Sequence, residues 1–280
     1  MELSESELHQ ATGQYVGLEK ALNSWALLHS FDLGELSQEV DFVRVDEADV
    51  DIATSPIGTK YWKNLPLPGH QQFLPEDDEG EFVLCIKKAL GFIYDNYGQS
   101  YSDLFGFLTL IVPVKGPSVR DTITSLSVPE YPFSCFVSKN ALFHLAPNVI
   151  NYEGREFYLA ENLFHEMVHN RVNLELLEQE ILVEEYDSES SPRIHIEWRK
   201  NADPRNNAWQ VDRAIHALWV YSYLSKFRSI ASKIKPSLFN SAMADQAKSN
   251  ASYLRQRILD NKVCLTKVGV SYVESSAAFL

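Results

Sequence analysis

"ENLFHEMVHNRV", residues 161–172, decides how the rest of the chain is read. It places His165, Glu166 and His169 in the spacing HExxH. Two residues four apart share one face of a helix, with Cβ atoms about 6 Å apart, so both imidazoles can reach one metal ion. Composition alone would produce the pattern roughly 0.02 times in a chain of this kind. The surrounding run, "REFYLAENLFHEMVHNRVNLELLEQEIL" (155–182), contains neither Pro nor Gly. Leu159, Leu163, Met167 and Leu174 recur near helical spacing within it, which predicts one long helix. The bland alternative is a pair of histidines that only pack in a core. The motif specifies a metal grip more firmly than it specifies a reaction.

The chain has 280 residues, 45% hydrophobic and 12% aromatic, enough to bury a substantial core. Its net charge of −13 and the absence of a Lys/Arg-rich block argue against a nucleic-acid partner, because phosphate binding needs concentrated positive charge. Cys85, Cys135 and Cys264 are scattered and form no CxxC pair, which reads as free thiols in a reducing compartment. The start, "MELSESELHQ", is too acidic and polar for a secretory signal, and no apolar run reaches the ~18 residues a membrane span needs. A cytoplasmic protein with no membrane partner is expected.

Periodicity predicts a helix over 4–30, irregular structure with short strand-like pieces over 40–65 and a Pro- and acid-rich loop over 65–81. A helix over 82–96 follows. The β-branched and aromatic runs 104–114, 122–128 and 133–138 read as strands, the last of them able to line a cleft where a peptide adds alongside. Polar breaks at 187–193 and 201–208 then separate the HExxH helix from helices over 209–231 and 236–260, and a short strand or coil ends the chain. The expected architecture is α+β: mainly helical, with a small antiparallel sheet beside the HExxH helix, compatible with a zincin-like core. Three stretches make it up: an N-terminal helical and irregular region (1–100), the metal-binding core (101–235) and a C-terminal helix and tail (236–280), together one compact domain.

A catalytic metal site takes three protein ligands and keeps positions open. His165 and His169 supply two. A third from a glutamate would come from Glu184, Glu185 or Glu197. The metzincin continuation HExxHxxGxxH is excluded, because Val172 stands where Gly belongs and Glu175 where His belongs. His195 and His216 are the downstream histidines. His216 is in phase with Trp209, Val220, Tyr223 and Phe227, an apolar stripe on which a lone His is ordinarily a packed core residue. A helix carrying two committed ligands nevertheless needs a partner from another element, and His216 is the favoured third ligand.

The succession "ENLFHEMVHNRVN", "EWRKNADPR" and "RAIHALWVYSYLSKF" resembles the HExxH-motif peptide-modification proteins associated with ribosomally synthesised, post-translationally modified peptides. The likeness spans roughly residues 105–235. It implies an iron(II)- and 2-oxoglutarate-dependent β-hydroxylase acting on a precursor peptide. Iron would be held by His165, His169 and His216. An arginine among Arg199, Arg205 and Arg213 would pair with the cosubstrate carboxylate, the planar bidentate recognition that Arg provides. The stretch "NADPRNNAWQ" reads as an insertion relative to the family, so both Arg205 and Arg213 are candidates for the second arginine. Taken singly, each arginine also reads as a surface or capping residue.

Glu166 separates the chemistries. In a zinc peptidase it is the general base that activates metal-bound water. In a hydroxylase no such base is needed, and Glu166 would orient a ligand or the substrate. A non-catalytic metal domain or peptide-binding scaffold is the third reading.

Overall fold

The computed structural model describes residues 41–54, 72–73, 76–115, 124–145, 149–199 and 207–280. The expected helix over 4–30 and Arg205 lie outside the described residues. The chain divides into two compact units, Met1–Arg171 and Val172–Leu280. The boundary falls inside the HExxH helix rather than in a loop.

In the first unit, strands β1 (Asp41–Val45), β2 (Val50–Thr54), β3 (Gln72–Phe73), β4 (Leu110–Lys115), β5 (Ser125–Leu126) and β6 (Ser134–Ser138) form one sheet. The order is β1-β2-β4-β6-β5, with β3 also paired to β4. The sheet is mixed, not antiparallel throughout. β2 and β6 flank β4 in parallel, while β1, β3 and β5 join antiparallel. The sequence of β4, "LIVPVK", shows why: five successive buried residues form a continuous apolar run, as a strand covered on both faces requires. Pro113 falls where one flank of β4 passes from β2, paired at 110–111, to β3, paired at 114–115.

Helix α1 (Glu76–Tyr97) begins six residues before its apolar stripe, because the acid-rich stretch expected as loop supplies its first turns. Carboxylates suit the positive end of a helix dipole. Its buried positions, Phe82, Ile86, Ala89, Leu90, Ile93 and Tyr97, follow helical spacing. The run expected as a strand over 104–114 is divided. Residues Ser102–Phe105 form the short helix α2, and β4 starts only at Leu110. The hairpin β7 (His144–Leu145) and β8 (Val149–Ile150) leads to α3 (Arg155–Glu178), which carries the HExxH motif. Phe157 meets Phe92 of α1 edge-on at 5.2 Å, and Phe164 meets Tyr97 at 5.7 Å and Tyr101 at 5.8 Å. Leu159, Leu163, Met167 and Val168 are buried as well, so α3 is covered on most sides.

The second unit contains the pair β9 (Ile194–His195) and β10 (Ala208–Trp209), then helices α4 (Val211–Ile234), α5 (Ser241–Asp260) and α6 (Lys267–Ser275). Ala247, Ala251, Leu254 and Ile258 give α5 its buried stripe. The chain end is helical, not the expected strand or coil. Thr266 caps α6 by accepting from the Gly269 N–H, and Phe279 in the final turn packs on Trp219 and Tyr223 of α4. No helix among the described residues is long and apolar enough to cross a membrane.

Candidate functional site

Helix α3 places His165 and His169 one turn apart, with their Nε2 atoms 2.9 Å from each other and ring centroids separated by 4.7 Å. Both rings are half-buried. Burial pushes the His169 imidazole down to about 4, so it is neutral at physiological pH and keeps the lone pair that a metal ion needs. Two nitrogens each about 2.1 Å from an ion lie about 3.0 Å apart at right angles and about 3.4 Å apart at a tetrahedral angle. The observed separation is that of an N–H···N hydrogen bond between the two rings and is also compatible with neighbouring corners of an octahedron.

Glu166 points elsewhere. It is 3% exposed, and its Oε1 accepts a hydrogen bond of 2.7 Å from the Ser125 hydroxyl on β5. Burial raises its carboxyl to about 7, and the hydrogen bond from Ser125, with the polar groups of Ser127 nearby, holds it back from rising further. Cys135 on β6 is fully buried nearby, and its thiol is pushed up by burial and then by the Glu166 charge.

Strand β6, expected to line the cleft, is paired on both sides, to β4 and to β5. Among the described residues it is left no free edge along 136–138 for a peptide. Among the described residues the sheet ends on that side at β5, whose Ser125 holds Glu166.

The second unit assembles another cluster. The Arg199 guanidinium carbon lies 5.3 Å from the centre of the Trp209 ring, and that of Arg213 lies 4.9 Å from it. Both cations therefore share one indole. The strand pair β9–β10 and the helix that follows explain the proximity, since Trp209 ends β10 and Arg213 is in the first turn of α4. Desolvation lowers the Arg213 pKa, and the neighbouring Arg199 charge lowers it further. The Arg199 Nε is buried without a hydrogen-bond partner among the described residues. Trp198, beside Arg199, packs edge-on against Tyr221 and Tyr253. Two like charges held together with a donor unspent make a site suited to an anion.

Other sequence candidates are less specifically placed. His216 is half-buried on α4. His195 is exposed on β9, and its carbonyl accepts from the Tyr253 hydroxyl. Glu184, Glu185 and Glu197 are exposed. Among the described residues no group of three or more His, Cys, Asp or Glu side chains is disposed to hold a metal ion. Sequence reasoning missed Ser125, Ser127 and Asn170, the polar residues that connect α3 to the sheet. Serines in a short strand and an asparagine inside a helix carry no signal of their own.

The chain matches no protein-family model and no curated protein.

Proposed function

We propose that the protein is an iron(II)- and 2-oxoglutarate-dependent β-hydroxylase of a ribosomally made precursor peptide. The observation that carries the proposal is the His165–His169 pair, with nitrogens at the separation expected of adjacent octahedral ligands. His216 is proposed as the third ligand. Loaded iron with 2-oxoglutarate and dioxygen would supply a two-electron oxidation of a C–H bond, forming the alcohol, succinate and carbon dioxide. The chain's own part is to hold the ion, bind the cosubstrate and present the peptide. Arg199 and Arg213, two cations on one indole with Asp212 as the carboxylate beside Arg213, support a carboxylate partner. Arg205 is retained as a candidate from the sequence.

A second reading, a zinc peptidase, is favoured by one observation. The Glu166 carboxyl at about 7 sits where a general base works best. Against it, Glu166 is buried and bound by Ser125 rather than directed at open space.

The deciding experiment reconstitutes the protein anaerobically with iron(II), then adds 2-oxoglutarate, oxygen and a precursor peptide. Hydroxylation yields succinate and a peptide heavier by about 16 Da, the mass of one inserted oxygen atom. Peptide-bond cleavage by the zinc form, with no 2-oxoglutarate consumed by the iron form, would reject hydroxylation in favour of proteolysis. X-ray absorption on the metal-loaded protein should show one imidazole fewer in His216→Ala than in the wild type.

A further inference from the structure

Two stripes run along α3. His165 and His169 make one, and Glu166 and Asn170 make the other, each displaced by one residue and so by about 100° around the axis. The second stripe is buried, Glu166 at 3% and Asn170 at 2% exposure, and bonds to β5 and β6 of the sheet. Ser125 Oγ donates to Glu166 at 2.7 Å, and Asn170 Nδ2 donates to the Ser134 carbonyl at 3.1 Å. Ser127 Oγ donates to the same carbonyl at 3.1 Å.

The pairing register explains why β5 can do this. The Ser138 N–H donates to the Thr124 carbonyl, which makes that pair hydrogen-bonded. Antiparallel pairs alternate, so the main-chain groups of Ser125 turn away from β6, toward the side of β5 on which no described strand pairs. Ser127 lies close enough to the Glu166 carboxylate to lower its pKa. The Ser125 side chain turns to the helix, and the Ser127 side chain turns to the Ser134 carbonyl that Asn170 also uses.

We infer that Ser125 and Ser127 are positioning residues, which, through Glu166 and Asn170, set the rotation of α3 and so the aim of His165 and His169. Fixing one stripe of a rigid helix fixes the other. A rotation of about 10° would sweep a side-chain tip roughly 8 Å from the axis by about 1.4 Å, beyond the ~0.5 Å a functional site tolerates. The inference rests on the reading of the histidines as metal ligands, but the clamp exists without the metal.

The test uses Ser125→Ala, Ser127→Ala, the double variant and Ser125→Thr. Cobalt(II) and zinc(II) affinities are measured by chelator competition, and side-chain imidazole shifts are recorded by NMR on the metal-free proteins. The double variant should bind metal about 10- to 100-fold more weakly, the usual effect of losing partners that orient ligands. The imidazole signals of both histidines should move together. Ser125→Thr, which keeps the hydroxyl, should restore both readouts relative to Ser125→Ala. Unmoved imidazole signals in a folded Ser125→Ala or double variant would overturn the clamp, whether or not metal binds. Should the double variant fail to fold, the single Ser125 variants decide. A wild type that binds no metal, with imidazole signals that still shift, would leave the clamp standing and remove the metalloenzyme reading instead.

Discussion

His165 and His169 hold their Nε2 atoms 2.9 Å apart across a single turn of α3. Imidazoles this close share either one N–H···N bond or an ion, and the depressed basicity of His169 keeps the second option available at neutral pH. Replacing both with Ala should abolish stoichiometric iron(II) or zinc(II) binding while the far-ultraviolet circular dichroism stays unchanged. Metal analysis by mass spectrometry after gel filtration checks this. Full occupancy in His165→Ala/His169→Ala would remove every metal-based reading of the chain.

Glu166 makes a pH-dependent contribution whose sign follows from its environment. Its folded pKa of about 7 lies above the ordinary carboxyl value of 4.5, so between those values the folded state binds more protons than the unfolded one. The stability it contributes is present below about 4.5 and is lost as pH rises through about 7. His169 acts oppositely, its pKa lowered from 6.5 to about 4, so stability from that group grows with pH across that window. The wild-type profile mixes the two, and the comparison must isolate Glu166. In metal-free protein, Glu166→Gln should gain on the wild type by up to about 3 kcal/mol between pH 4.5 and 8. Urea unfolding at several pH values reads the difference. A pH-independent gap would mean that Glu166 does not titrate there.

The motif helix was legible because its information is local: spacing, absence of Pro and Gly, and an apolar repeat over 155–178. The mixed sheet was not. Strands β2, β4 and β6 lie parallel through connections distant in sequence, and an apolar run such as 104–114 does not reveal where a helical turn yields to a strand. The chain end misled for a different reason. Val268, Val270 and Val273 favour strand by propensity, yet the Thr266 cap and the burial of Gly269 and Val273 impose a helix. At the site, the histidine spacing was readable, whereas the serines that hold Glu166 are identified only by the fold.

Gly269 gives a stability test of that C-terminal packing. A Cβ added there would meet the Ile181 carbonyl oxygen at 1.9 Å, a clash with backbone that no rotamer relieves. The Thr266 N–H bonds to the same carbonyl, and Leu182 bridges to Leu265 alongside. Gly269→Ala should therefore destabilise by about 1–3 kcal/mol or more, the range for overpacking a buried site. Thermal unfolding measures it. An unchanged midpoint would mean that α6 is not seated against the 181–182 segment.

Trp209 provides a built-in reporter for the arginine pair. Arg199 and Arg213 both lie over its ring, so an anion drawn between or beside them will change the indole's electrostatic surroundings. 2-Oxoglutarate should alter tryptophan emission in the wild type, and Trp209→Phe should remove most of that change. The charges are already costly to hold together, since desolvation and Arg199 both work against the Arg213 cation. A dicarboxylate that relieves this repulsion loses one of its partners when either guanidinium is removed. Arg199→Gln and Arg213→Gln should each weaken 2-oxoglutarate binding at least about ten-fold, a loss of about 1.4 kcal/mol, while metal affinity is unchanged. Arg205→Gln is measured in parallel. Calorimetric titration supplies the affinities independently of fluorescence. Undiminished binding in both Arg199→Gln and Arg213→Gln would dissociate the Trp209 cluster from the cosubstrate, and loss in Arg205→Gln alone would transfer the role to that residue.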